Sequence, residues 1–80
     1  MKLAMIVVEN NRVDATVDAL VAQCFRVTRL ASTGGFLRRG NTTLLVGIED
    51  TEIDRAKSVV QAKAPGSVLF TLDLDRYERL

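Results

Sequence analysis

Four arginines, Arg26, Arg29, Arg38 and Arg39, fall within one stretch, residues 25–47, that holds no carboxylate. Gly34, Gly35 and Gly40 share that stretch. Glycines let a backbone come close to a ligand, so that its N–H groups act as donors. Guanidinium groups beside such a loop favour an anion, most simply a phosphate. Phe36 and Leu37 stand at the crown of the loop. A surface loop has little reason to expose both unless something covers them. These residue types suit an anionic ligand that also carries a base. They do not suit catalysis: the chain has no histidine, offers no nucleophile–base pair, and puts no carboxylate in the stretch. With no histidine and one cysteine, a zinc site within one chain is not expected; no metal and no cofactor is expected.

Two strand-like runs must hold this loop. Residues 25–32 begin with Phe25 and Val27 on one face and Arg26 and Thr28 on the other. The alternation then breaks, with Arg29 on the Phe25 side and Leu30 on the Thr28 side. Residues 42–48, rich in β-branched residues and leucine, predict the partner strand of an antiparallel hairpin. Ahead of the hairpin, Leu3 to Val8 is an apolar run fit for a strand in mid-sheet. Residues 12–23 predict a helix capped by Asn11, with Val13, Val17, Leu20 and Val21 as its buried stripe. Behind the hairpin, Asp50 or Thr51 is expected to cap a second helix that buries Ile53, Ala56, Val59 and Val60. Pro65-Gly66 ends it. Residues 67–74 predict a last strand with Val68, Phe70, Leu72 and Leu74 on one face, and residues 75–80 a polar tail with a helical turn.

The order β-α-β-β-α-β with right-handed crossovers predicts an α+β, ferredoxin-like sandwich: a four-stranded antiparallel sheet, strands 1 and 3 central, two helices on one face. The chain, 80 residues and 48% apolar, is expected to form a single domain over residues 1–80. The bare sheet face predicts self-association. A net charge of +1 gives no basic surface for a nucleic-acid polymer. No run reaches membrane-spanning length and no signal peptide is seen, so a cytoplasmic location is expected. Cys24, the only cysteine, is expected as a packed, inert thiol.

The stretch Phe25-Arg26-x-Thr28-x-Leu30-Ala31-x-Thr33-Gly34-Gly35-Phe36-Leu37-x-x-Gly40-Asn41-Thr42-Thr43 closely resembles the signature of the PII-like cyclic di-AMP receptor family. The resemblance covers roughly residues 1–60 and resumes at Val68-Leu69-Phe70-x-Leu72-Asp73. It implies a homotrimer with ligand sites in the clefts between subunits, a nucleotide second messenger as ligand, and an unknown downstream protein. Carried onto this chain, it implies that Arg26 and Thr28 reach the phosphate and ribose side. Thr33 and Gly34 shape the loop, while Gly35, Phe36 and Leu37 lie against an adenine. Asn41 bonds a base edge, and the Gly47 backbone approaches the same base. The long glycine-rich insertion that the family carries before its last strand is missing, for Gln61 to Ser67 goes straight across.

Four functions follow for comparison. The first is non-enzymatic signalling by binding cyclic di-AMP or a related adenine nucleotide. The alternative is a trimeric structural or interaction module that no longer binds nucleotide. An RNA-binding domain shares the element order but needs stacking aromatics where Leu44, Leu45 and Val46 stand. An enzyme lacks the residues named above. Bland roles stay open too: Phe36 as a plug beneath its own loop, Asn41 as a turn residue, Arg38 and Arg39 as a solubilising loop tip, Tyr77 as a tail anchor.

Overall fold

The apolar run after Met1 becomes the strand to which the other layers attach. A computed structural model describes residues 1–30, 40–78 and 80. Its elements are β1 (Lys2–Glu9), α1 (Val13–Ala22), β2 (Val27–Leu30), β3 (Asn41–Ile48), α2 (Ile53–Lys63) and β4 (Val68–Asp73). The four strands form one antiparallel sheet in the order β2-β3-β1-β4, with β1 and β3 central as expected. With both helices packed on one face, this is the ferredoxin-like α+β sandwich.

Register decides which side chains meet. Ala4 lies opposite Val46 and Ile6 opposite Leu44, so their side chains share the helix-facing side. Ala4, Ile6, Val8, Leu44, Val46 and Ile48 are fully buried there, beneath Val13 and Leu20 of α1 and Ala56 and Val60 of α2. Each large aliphatic side chain so buried contributes about 1.5–3 kcal/mol. Only Leu45 of the three β3 residues weighed against RNA binding lies on the other face; Leu44 and Val46 are core.

The expected α1 stripe needs one correction. Val21 is 54% exposed, and Thr16 takes the buried place. The Thr16 hydroxyl donates to the Arg12 carbonyl at 2.8 Å, which lets a polar residue enter the core. The expected caps also differ. Each central strand leaves through a 3₁₀ turn, Asn10–Arg12 after β1 and Asp50–Glu52 after β3. Asn11 caps nothing. The second turn is closed by Glu52, whose carboxylate accepts the Glu49 N–H at 3.0 Å.

Cys24 is exposed, not packed. It ends α1 in the left-handed region (φ 68°), with its N–H on the Val21 carbonyl and the Phe25 N–H on that of Leu20. This turn faces the thiol outward and brings Phe25 inward, where the Arg55 guanidinium lies 4.6 Å over its ring.

β2 starts at Val27, two residues later than expected, and residues 31 and 32 lie outside the described residues. The broken alternation of β2 has a cause. Arg29 shares the helix-facing side with Val27, and at the sheet edge its guanidinium leaves the core to donate to Asp14 of α1 at 2.7 Å. Thr28 and Leu30 face the other way. That open face also carries Val68, Phe70 and Leu72, at 50%, 54% and 53% exposure, beside half-buried Leu3, Met5, Val7 and Leu45. The apolar face of β4 is thus the face that no helix covers. Residues 75–78 form no helical turn. Among the described residues, no helix is long and apolar enough to cross a membrane.

Candidate functional site

Arg26, Thr28 and Gly47 meet on the open face. Arg26 precedes β2, Thr28 lies within it, and β3 places Gly47 beside them, one residue past the Val27–Val46 pair. Together with Leu3, Leu45, Leu74 and Tyr77 they line a concavity of about 520 Å³, within the range of small-molecule sites at about 300–1,000 Å³. Three features give it chemistry. The Arg26 side chain makes no ion pair or hydrogen bond among the described residues, whereas Arg29, Arg55 and Arg76 are each paired with a carboxylate. Thr28 adds an exposed hydroxyl. Gly47 has nothing within 4 Å of where a Cβ would stand and has no positive φ, so the protomer itself does not require glycine there. A glycine inside a strand without an internal reason suits close approach by a ligand or another chain.

No carboxylate lines this concavity among the described residues. Its chemistry is one cationic side chain, a hydroxyl and open backbone beside methionine, leucine and tyrosine side chains. That set can hold an anion against an apolar, partly aromatic wall.

Asn41 is elsewhere. It opens β3 opposite Glu9, while Gly47 nears the strand's end opposite Leu3. At about 3.3 Å per residue the two are roughly 20 Å apart. Asn41 and Gly40 line a second concavity, of about 810 Å³, bounded by the Asn10–Arg12 turn and the Ala64–Ser67 crossover. Thr33, Gly34, Gly35, Phe36 and Leu37 lie outside the described residues, as do Arg38 and Arg39.

Sequence inspection missed the second concavity and the part played by Tyr77, which is 60% exposed and lines the Arg26 concavity. The sequence carries no signal for the first, because only the register of β1 on β3 brings Asn10 to Gly40 and Thr42. Nothing in the polar tail distinguishes Tyr77.

Residues 1–67 match the family described as Cyclic-di-AMP receptor. The chain belongs to that family. The match ends just before β4. Among solved structures, a functionally unknown protein from Pediococcus pentosaceus is similar: TM-score 0.85 and 26% identity, with 99% of this chain and 96% of that one covered. Near-complete coverage of both chains means that the two are of nearly equal length and that the likeness runs over the whole fold.

Proposed function

We propose that this family member is a non-enzymatic signalling protein that binds cyclic di-AMP, or a related adenine nucleotide, between protomers of a homotrimer. It passes the signal to a downstream cytoplasmic protein by changing a contact. The convergence of Arg26, Thr28 and Gly47 on the uncovered sheet face carries this function. The Arg26 guanidinium and Thr28 hydroxyl supply donors for a phosphodiester, and Gly47 leaves room for a base against its backbone. Thr33, Gly34, Gly35, Phe36 and Leu37 complete the loop side. Asn41 stands too far away to touch the same base from the same protomer, which favours a cleft between protomers. The apolar open face supplies the surface on which protomers associate.

The short Ala64–Ser67 crossover favours a second function, an interaction module without nucleotide. A thermal-shift panel separates the two. Cyclic di-AMP at about a hundred times its Kd adds about 2.7 kcal/mol and raises Tm by about 10 °C or more; a flat response to cyclic di-AMP and to mononucleotides supports the module.

A further inference from the structure

Arg26 stands outside the sheet ladder. The pairing of β2 with β3 begins at Val27 and Val46, one residue after Arg26. The place of Arg26 is therefore set by the segment before it, the turn through Gln23 and Cys24 and the buried Phe25. Cys24 holds a positive φ, which strains a residue other than glycine. A strained turn keeps its shape only where its neighbours hold it.

Arg55 of α2 bonds this turn from the helix-covered side. Its Nη1 donates to the Gln23 carbonyl at 3.1 Å, and its guanidinium carbon lies 4.6 Å from the centre of the Phe25 ring. Glu52 aims the same guanidinium. One carboxylate oxygen accepts from Arg55 Nη2 at 3.0 Å, and the other accepts the Glu49 N–H at 3.0 Å. Glu49 lies two residues beyond Gly47. A continuous path thus runs from Glu49 through Glu52 and Arg55 to Gln23 and Phe25. It joins the exit of β3 to the entry of β2, and Gly47 and Arg26 stand at its two ends on the open face.

We propose that Arg55 is a positioning residue: bonded to Gln23 and stacked on Phe25, it sets where the Arg26 guanidinium stands against Gly47. This inference rests on the nucleotide-binding function above and adds to it a residue on the opposite side of the sheet. The Arg55–Glu52 pair is partly exposed, so it contributes little to stability. Binding depends on it more, because a binding group must be held to within about 0.5 Å of its productive place.

Two measurements on the whole protein test this. Backbone order parameters from NMR relaxation of the unliganded protein read the turn directly. In Arg55→Ala the amides of residues 23–26 are expected to fall from about 0.85 toward 0.6, with Val27 to Leu30 unchanged. Calorimetry with cyclic di-AMP reads the consequence. Arg55→Ala is expected to weaken binding about fivefold or more, while Arg29→Ala, which breaks another exposed pair, stays within about twofold of wild type. Arg55→Lys keeps the charge but loses the planar fork that serves Gln23 and Glu52 together, and it is expected to weaken binding to a similar degree. Melting temperatures of the unliganded variants are expected to fall by no more than about 8 °C. Wild-type affinity in Arg55→Lys, with a defect only in Arg55→Ala, means that charge and not placement matters, and overturns the proposal. Wild-type order parameters at residues 23–26 in both Arg55 variants overturn it too. So does wild-type affinity in both while Arg26→Ala binds poorly, and the parent function then stands. A wild type that binds no cyclic di-AMP removes the parent function and this role with it.

Discussion

Asn41 and Gly47 share one face of β3 but stand at its opposite ends, opposite Glu9 and Leu3 of β1. One end belongs to the amide-rich turn after β1, the other to Arg26 and Thr28. A strand is stiff, so this separation is fixed by the sheet and cannot be closed by side-chain motion. The same relationship decides which experiments are informative.

Arg26 and Arg29 make a matched pair for mutation. Both are exposed arginines at β2, on opposite faces. Arg29→Ala breaks a solvent-exposed ion pair with Asp14 and is expected to cost no more than about 0.5 kcal/mol, with nucleotide affinity within about twofold of wild type. Arg26→Ala is expected to leave stability unchanged and to weaken affinity by about 10- to 100-fold, the loss of one charge-assisted bond. Denaturant titration and calorimetry on both variants check this; a larger binding defect for Arg29→Ala contradicts the assignment of faces.

Phe70 is half exposed at the middle of β4, flanked by Val68 and Leu72 on the same face. An aspartate there costs the lone protomer little but opposes association through the open face. Phe70→Asp is expected to reduce the assembly mass to that of a single chain in light scattering at micromolar concentration. An unchanged multimer in this variant means that protomers associate elsewhere.

Cys24 occupies a backbone conformation that favours glycine. Cys24→Gly is expected to stabilise the fold by about 1 kcal/mol, raising Tm by about 4–8 °C. The exposed thiol of the wild type is expected to react with a thiol reagent without denaturant. A thiol that reacts only on unfolding shows that it is packed.

Much of this architecture was legible because period-two and helical patterns coincide with burial. Leu3 to Val8 announced a central strand, and Phe25, Arg26, Val27 and Thr28 announced which face each takes. Misses arose where backbone geometry overrode pattern. Thr16 displaced Val21 because a hydroxyl bonded to Arg12 can be buried, and Cys24 turned outward because the helix ends in a left-handed residue. The pairing of Arg29 with Asp14 was hidden because it depends on how α1 lies across the sheet. Half of the candidate site could be found from residue types near Gly34-Gly35. The turn at Asn10–Arg12 could not, because only the register of β1 on β3 brings Asn10 to Gly40 and Thr42.

Stability is expected to be flat with pH near neutrality. Lys2 is held above its ordinary pKa by its hydrogen bond with Asp73 and then by the Asp50 charge; Asp73 is held below its own by Lys2. A lowered carboxylate stabilises above its unfolded pKa and is lost as pH falls through the folded value; a raised lysine stabilises below its unfolded pKa and is lost as pH rises through the folded value. Their slopes therefore fall below about pH 4 and above about pH 10. Asp73 is exposed and Lys2 only half-buried, so solvent screens the pair and the slopes are small. Urea midpoints measured between about pH 5 and 9 are expected to coincide, and Asp73→Asn to reduce both the acid and the alkaline slope, because Asp73 is also the larger cause of the Lys2 shift; a steep change near neutrality contradicts this assignment.

The central claim is an anion site at Arg26 facing another protomer. Calorimetric titration of cyclic di-AMP into the wild type and Arg26→Ala, each with its assembly mass measured in the same buffer, tests it most directly. The expected result is a multimer that binds saturably, with affinity falling about tenfold or more in a variant of unchanged mass. A wild type that binds nothing, or an Arg26→Ala protein that binds as tightly as the wild type, contradicts it.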